Sequence, residues 1–139
     1  MSIIILIVDD ERDTRLLFEQ NFRNEVNSGA MKFLYADSAE KTLLMLENSR
    51  PKINVIVILS DINLPGITGE ALLKVVSKSH YNVSIFMLTN YGDINMTLQA
   101  WEYGAEGIVN KPINFNYLKT VLTDPNLMFR LKKKDDLHD

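Results

Sequence analysis

No cysteine occurs in the 139 residues, which excludes disulfides, thiolate metal centres and cysteine nucleophiles. A basic surplus is also missing. The formal net charge is −3, so no cationic surface that tracks a nucleic-acid backbone is expected. No apolar run is long enough for a membrane span: Ile3 to Val8 falls far short of the roughly 20 residues a transmembrane helix needs. That opening segment also lacks the basic flank and cleavage site of a secretion signal, so the expected location is cytoplasmic. Neither a repeat nor a low-complexity linker interrupts the chain. No glycine-rich fingerprint follows the first apolar segment, which removes a dinucleotide-binding role. What is present, 46% hydrophobic and 24% charged residues, is the composition of one globular domain of ordinary size.

The apolar segments alternate between two periods. Ile3 to Val8 is a continuous β-branched run and reads as a buried strand. Arg12 to Val26 carries Leu16, Leu17, Phe18, Phe22 and Val26 at helical spacing and ends at Asn27-Ser28-Gly29. Met31 to Ala36 is a second strand. Ser38 is placed to cap a helix that bears Ala39, Leu43, Leu44 and Leu46 and stops before Pro51. Ile53 to Ser60 is a third strand, followed by a turn at Pro65-Gly66 and a helix from about Gly69 to Ser77. Val83 to Thr89 is the fourth strand, and Ile94 to Tyr103 a helix stopped by Gly104. Gly107 to Val109 is a short fifth strand and Asn116 to Leu122 the last helix. Trp101 is expected in the core, and Tyr91 and Tyr103 as ordinary packing residues. The fold class is α/β: a (βα)5, doubly wound, five-stranded parallel sheet covered by helices on both faces. Residues 1–123 form the expected domain. Residues 124–139, with Lys132-Lys133-Lys134, form a polar tail or a junction to a further domain.

In such a sheet the chemistry collects at the carboxyl edge. Strand one ends in Val8-Asp9-Asp10-Glu11, strand three in Asp61, strand four in Thr89 and strand five in Asn110-Lys111-Pro112. Three acids, a hydroxyl and an ammonium therefore share one cleft. Adjacent carboxylates repel, so Asp9, Asp10 and Asp61 call for a cation. An all-oxygen set suits a hard ion such as Mg²⁺. Asp9 also fits a helix cap, and Asp61 fits a cap, a metal ligand or a nucleophile that accepts a phosphoryl group. Phosphoryl transfer relies on positioning and charge neutralisation, which Mg²⁺, Thr89 and Lys111 could supply together. Lys111-Pro112, in a tight strand-to-helix turn, is a place for a cis peptide.

These motifs resemble the receiver domain of two-component response regulators. Val8-Asp9-Asp10-Glu11 is similar to the family's acidic pair, and Ser60 to Gly69 to its phosphoacceptor segment. Leu88-Thr89 is similar to the switch hydroxyl, and Gly104-Ala105 followed by Lys111-Pro112-Ile113 to the closing motif. The resemblance runs from about Ile3 to Leu122, with the motifs in the family's order. It implies a flavodoxin-like sheet with strand order 2-1-3-4-5. It implies that Asp61 receives a phosphoryl group from a histidine kinase or phosphotransfer protein. Mg²⁺, or Mn²⁺ in its place, would then be held by Asp9, Asp10, Asp61 and the backbone carbonyl of Asn63. Lys111 would pair with Asp61 and then with the phosphoryl group, Thr89 would move toward a phosphoryl oxygen, and Lys111-Pro112 would be cis.

Two positions depart from the family. Ile108 stands where Tyr or Phe is usual at the switch position, so no ring is there to report the Thr89 movement. Asn90 stands where Ala or Gly is usual. The resemblance also implies an unnamed downstream effector, no nucleic-acid contact by this domain, and a monomer or a phosphorylation-linked homodimer. An aspartyl-nucleophile hydrolase of the haloacid-dehalogenase-like class needs a second Asp two residues after the first. Here that residue is Asn63, which cannot transfer the proton, so no enzyme beyond self-phosphorylation and self-dephosphorylation is expected. The alternative is a degenerate receiver that binds partners without being phosphorylated.

Overall fold

A computed structural model describes residues 3–49, 56–64, 66–78, 83–90, 94–124 and 126. Five parallel strands, β1 (Ile3–Val8), β2 (Met31–Ala36), β3 (Ile56–Asp61), β4 (Val83–Asn90) and β5 (Gly107–Lys111), form one sheet in the order β2-β1-β3-β4-β5. The expected fold and strand order are both found. The helices are α1 (Arg12–Asn21), α2 (Arg23–Asn27), α3 (Ala39–Ser49), α4 (Gly69–Lys78), α5 (Ile94–Glu102) and α6 (Phe115–Leu122).

Alternation along each strand divides the core in two, because successive side chains point to opposite faces. Ile3, Ile5, Ile7, Val57, Leu59, Phe86 and Leu88 pack with Phe18, Phe22, Leu118 and Leu122, so α1 and α6 cover that face. Leu6, Val8, Ile58, Ile85 and Met87 pack with Leu46, Leu72, Leu73, Val76 and Ala100, so α3, α4 and α5 cover the other. The continuous apolar strands are thus explained: β1, β3 and β4 are buried from both sides.

Several local expectations are corrected. The single helix from Arg12 to Val26 is two helices, interrupted at Phe22, whose φ and ψ are −112° and 20°. Of its apolar residues only Phe18 and Phe22 are buried, while Leu16, Leu17 and Val26 are exposed. Phe18 and Phe22 suffice because their rings stack at 5.8 Å and meet Phe33 and Phe115 in one aromatic cluster. Trp101, expected in the core, is 52% exposed. Helix α5 turns Ala100 to the sheet, and the next residue lies about 100° around the axis, at the rim of a groove shared with Ile108 and Tyr117. Leu44 and Val75 are likewise exposed.

Other expectations hold. Ser38 Oγ accepts from the Lys41 N–H at 3.1 Å, the N-cap bond at the start of α3. Gly104 has φ +98° just past α5, and Lys111-Pro112 is cis. The beginning expected for strand three (Ile53 to Val55), Pro65, Tyr91 and the tail with Lys132-Lys133-Lys134 lie outside the described residues.

Phe18→Ala is expected to destabilise the fold by roughly 3–5 kcal/mol, the cost of emptying an aromatic site that cannot fully collapse. Urea denaturation would show this as a lower midpoint with an unchanged slope.

Candidate functional site

The register carries the expected residues to one edge. Val8 pairs with Ser60, so Asp9 leaves β1 beside Asp61 at the end of β3. Asp61 pairs with Leu88, which puts Thr89 one residue beyond it on β4. Thr89 pairs with Asn110 and Asn90 with Lys111, so Lys111 closes the edge at β5.

Lys111 bridges two of the acids. Its Nζ donates to Asp61 Oδ2 at 2.8 Å and to Asp9 Oδ2 at 3.2 Å. The remaining oxygens are used in the same way in both carboxylates. Asp9 Oδ1 accepts from the Glu11 N–H at 2.8 Å, and Asp61 Oδ1 accepts from the Asn63 N–H at 3.0 Å. Each acid thus gives one oxygen to a backbone amide two residues ahead and the other to a shared ammonium. Charge-assisted bonds of this kind fix a side chain more firmly than neutral ones. Asp9, Asp61 and Thr89 are buried, whereas Asp10 is exposed.

The capping reading of Asp9 is corrected by this arrangement. The N-cap of α1 is Glu11, which makes no side-chain cap bond. Asp9 holds the N–H of that residue and lies outside the helix. Asp61 does not cap α4 either: Thr68 Oγ1 accepts from the Ala71 N–H at 3.1 Å.

Burial pulls the Lys111 ammonium toward its neutral form. The hydrogen bond to Asp61 and the charges of Asp9 and Asp61 outweigh that pull, and its pKa lies above the ordinary 10.5. Lysine is therefore a fixed positive charge throughout the neutral range.

Asp9, Asp10 and Asp61 each offer a carboxylate oxygen, and these atoms lie within 4.8 Å of one another. An open cleft of about 710 Å³ adjoins Asp9 and Asp10, lined also by Arg12, Arg15, Tyr35 and Lys41. Two of its cations are already paired, Arg15 with Glu19 at 3.1 Å and Lys41 with Asp37 at 2.9 Å.

Gly69 is a position beside the site whose reason was not read from the sequence. A Cβ there would lie 2.1 Å from the Asp61 carbonyl oxygen and 2.9 Å from Ile62 Cα. Only glycine lets the start of α4 approach the backbone of Asp61 so closely. The signal was the Thr68-Gly69 pair at a helix start, which reads as an ordinary cap unless the approach is known. Ile108 is half-buried beside Phe86 and Trp101 on a groove of about 220 Å³. Asn63 and Asn90 are exposed.

Comparison with known proteins agrees with this geometry. The model of the response regulator receiver domain family matches residues 5–123. The chain is 28% identical to the response regulator protein FleR of Pseudomonas aeruginosa over 81% of its own length, and it spans 22% of FleR. It is 29% identical to the sporulation initiation phosphotransferase F of Bacillus subtilis, covering 83% of this chain and 86% of that one. The receiver domain of NtrX from Brucella abortus superimposes with a TM-score of 0.72 at 27% identity, over 93% of this chain and 98% of that one.

Lys111→Met is expected to lower stability at neutral pH by about 1–3 kcal/mol, since it leaves two buried carboxylates without their ammonium. The sign with pH follows from the raised pKa. Lysine's contribution is fully present below 10.5 and is lost as pH rises through the folded-state value. Denaturation midpoints of the two proteins should stay a constant distance apart across the neutral range and converge only in strong alkali.

Proposed function

The chain belongs to the response regulator receiver domain family, and from that premise we propose that it takes a phosphoryl group onto Asp61 in a Mg²⁺-dependent reaction. The donor is a phosphohistidine of a histidine kinase or phosphotransfer protein. The observation that carries this reading is the Lys111 ammonium held between Asp61 and Asp9.

The residues fit a divalent ion. Asp9, Asp10 and Asp61 each offer a carboxylate oxygen within 4.8 Å of the others, and an octahedral Mg²⁺, with oxygens at about 2.0–2.1 Å and so at most roughly 4.2 Å apart, would draw them together. All donors are hard oxygens, and the exposed Asp10 leaves room for water ligands. Asp9, Asp10, Asp61 and the Asn63 carbonyl are the proposed ligands. Bound there, Mg²⁺ would supply positive charge against the phosphoryl oxygens.

An Asp61 carboxylate oxygen attacks phosphorus. An O–P bond forms as the N–P bond to the donor imidazole breaks, and the imidazole nitrogen keeps the electron pair and takes up a proton. Lys111 already lies against that carboxylate and follows the charge onto the phosphoryl group, where charge-assisted hydrogen bonds are strongest. Thr89 supplies a hydroxyl from the neighbouring strand end. Asn63 offers an amide where a hydrolase needs an acid, so Asp61 is the substrate and no separate substrate is turned over. The resulting change in the partner-binding surface works through whatever difference in affinity the two states have for the phosphoryl dianion.

Ile108 at the switch position is read as uncoupled from the chemistry, so the surface change has to be carried by Thr89 and its neighbours. Residues 1–123 are the proposed receiver and 124–139 its tail or junction. The domain works in the cytoplasm. Among the described residues no helix is long and apolar enough to cross a membrane.

Incubated with acetyl phosphate and Mg²⁺, the protein is expected to shift on a phosphate-affinity gel, and Asp61→Asn is expected not to. An unshifted wild type would leave the degenerate, partner-binding receiver standing. Asp10→Asn should weaken Mg²⁺ binding by roughly tenfold or more, since residues that only orient ligands already contribute that much. Calorimetric titration with unchanged affinity would remove Asp10 from the ligand set.

A further inference from the structure

The segment between Asp61 and α4 is fixed at its two ends from within. Ile62 N–H donates to the Leu88 carbonyl at 3.1 Å, and Gly69 N–H donates to the Ile62 carbonyl at 3.0 Å. Ile62 and Leu64 are buried, which anchors the first half in the core. The second half, Gly66 to Thr68, is exposed. That arc receives a side chain from a different element: Glu40, in the first turn of α3, accepts from the Ile67 N–H through Oε1 at 3.3 Å. Its other oxygen lies 3.0 Å from where a Cβ would stand on Gly66, whose φ is +72°. Glycine at 66 therefore serves the turn and also leaves room for the carboxylate.

Asn63 lies in the same segment, with its N–H on Asp61 Oδ1. A loop pinned at Ile62, at Ile67 and at Gly69 has little freedom left at Asn63. Without Glu40, the exposed arc would be held by its two ends alone. We propose that Glu40 is a positioning residue, which fixes the loop after Asp61 so that the Asn63 backbone is presented in one orientation to the divalent ion. This role rests on the metal-dependent phosphoacceptor reading above. Glu40 acts here as a hydrogen-bond acceptor at a distance from the metal, and its negative charge is incidental.

The variants are Glu40→Ala, which removes the acceptor, and Glu40→Gln, which keeps an acceptor and removes the charge. Two readouts are measured on the full chain: Mg²⁺ affinity by calorimetry, and amide hydrogen exchange of residues 62–69 without metal. Glu40→Ala should weaken Mg²⁺ binding by roughly threefold to tenfold, the range of one ordinary hydrogen bond, and should speed exchange at Ile67. Glu40→Gln should restore both to near the wild-type values. Gly66→Ala should mimic Glu40→Ala, because the new Cβ crowds the carboxylate and the positive φ disfavours alanine. Equal losses in Glu40→Ala and Glu40→Gln would mean that charge alone acts, which overturns the proposal. Unchanged affinity in Glu40→Ala would overturn it as well, with the phosphoacceptor reading intact. A wild type that binds no Mg²⁺ would sink that reading itself, and the role of Glu40 with it.

Discussion

The Lys111 ammonium is what makes the carboxyl edge of this sheet tenable. Two buried carboxylates from different strands would repel each other at short range, and desolvation would add to the cost. One Nζ atom, 2.8 Å from Asp61 and 3.2 Å from Asp9, offsets both effects. It also defines what the site can exchange. On the proposed function, a divalent cation arriving among the acids would bring charge of the same sign as Lys111, and a phosphoryl group on Asp61 would bring charge of the opposite sign. The lysine has a reason to move in the first case and a new partner in the second.

Everything beneath that interaction exists to bring the strand ends level. The alternating core divides the helices between the faces, Phe18 and Leu118 on one side and Leu72 and Leu73 on the other. Parallel pairing then aligns Asp9, Asp61, Thr89 and Lys111 without any one loop having to reach far. The two backbone amides that hold Asp9 and Asp61 lie two residues ahead of their own acids. Each acid is therefore oriented by local turn geometry and paired by a distant residue. The close approach at Gly69 belongs to the same economy of space, because it seats a helix against the backbone carbonyl of Asp61.

The alternation of strands and helices was legible in the chain because β-branched runs and helical stripes differ in period. So was the convergence of the five site residues, since every parallel strand ends on the same edge. Strand order came from the family resemblance, because periodicity says which segments are strands and nothing about their neighbours. Trp101 was misread because a large ring on an amphipathic helix looks like core, and only the angle set by Ala100 shows that it faces outward. The break at Phe22 had no proline or glycine to announce it. Glu40 could not have been found in sequence: it meets Ile67 across 27 positions, with the whole of β3 between them.

The bridge spans 102 positions on one side and 50 on the other. During synthesis the acids of β1 and β3 leave the ribosome well before the lysine of β5. Until β5 is made, Asp9 and Asp61 lack the ammonium that pairs them in the finished sheet. The counter-charge thus waits on the last strand of the sheet to be made. The residue that closes the carboxyl edge is therefore also among the last of the sheet to be added.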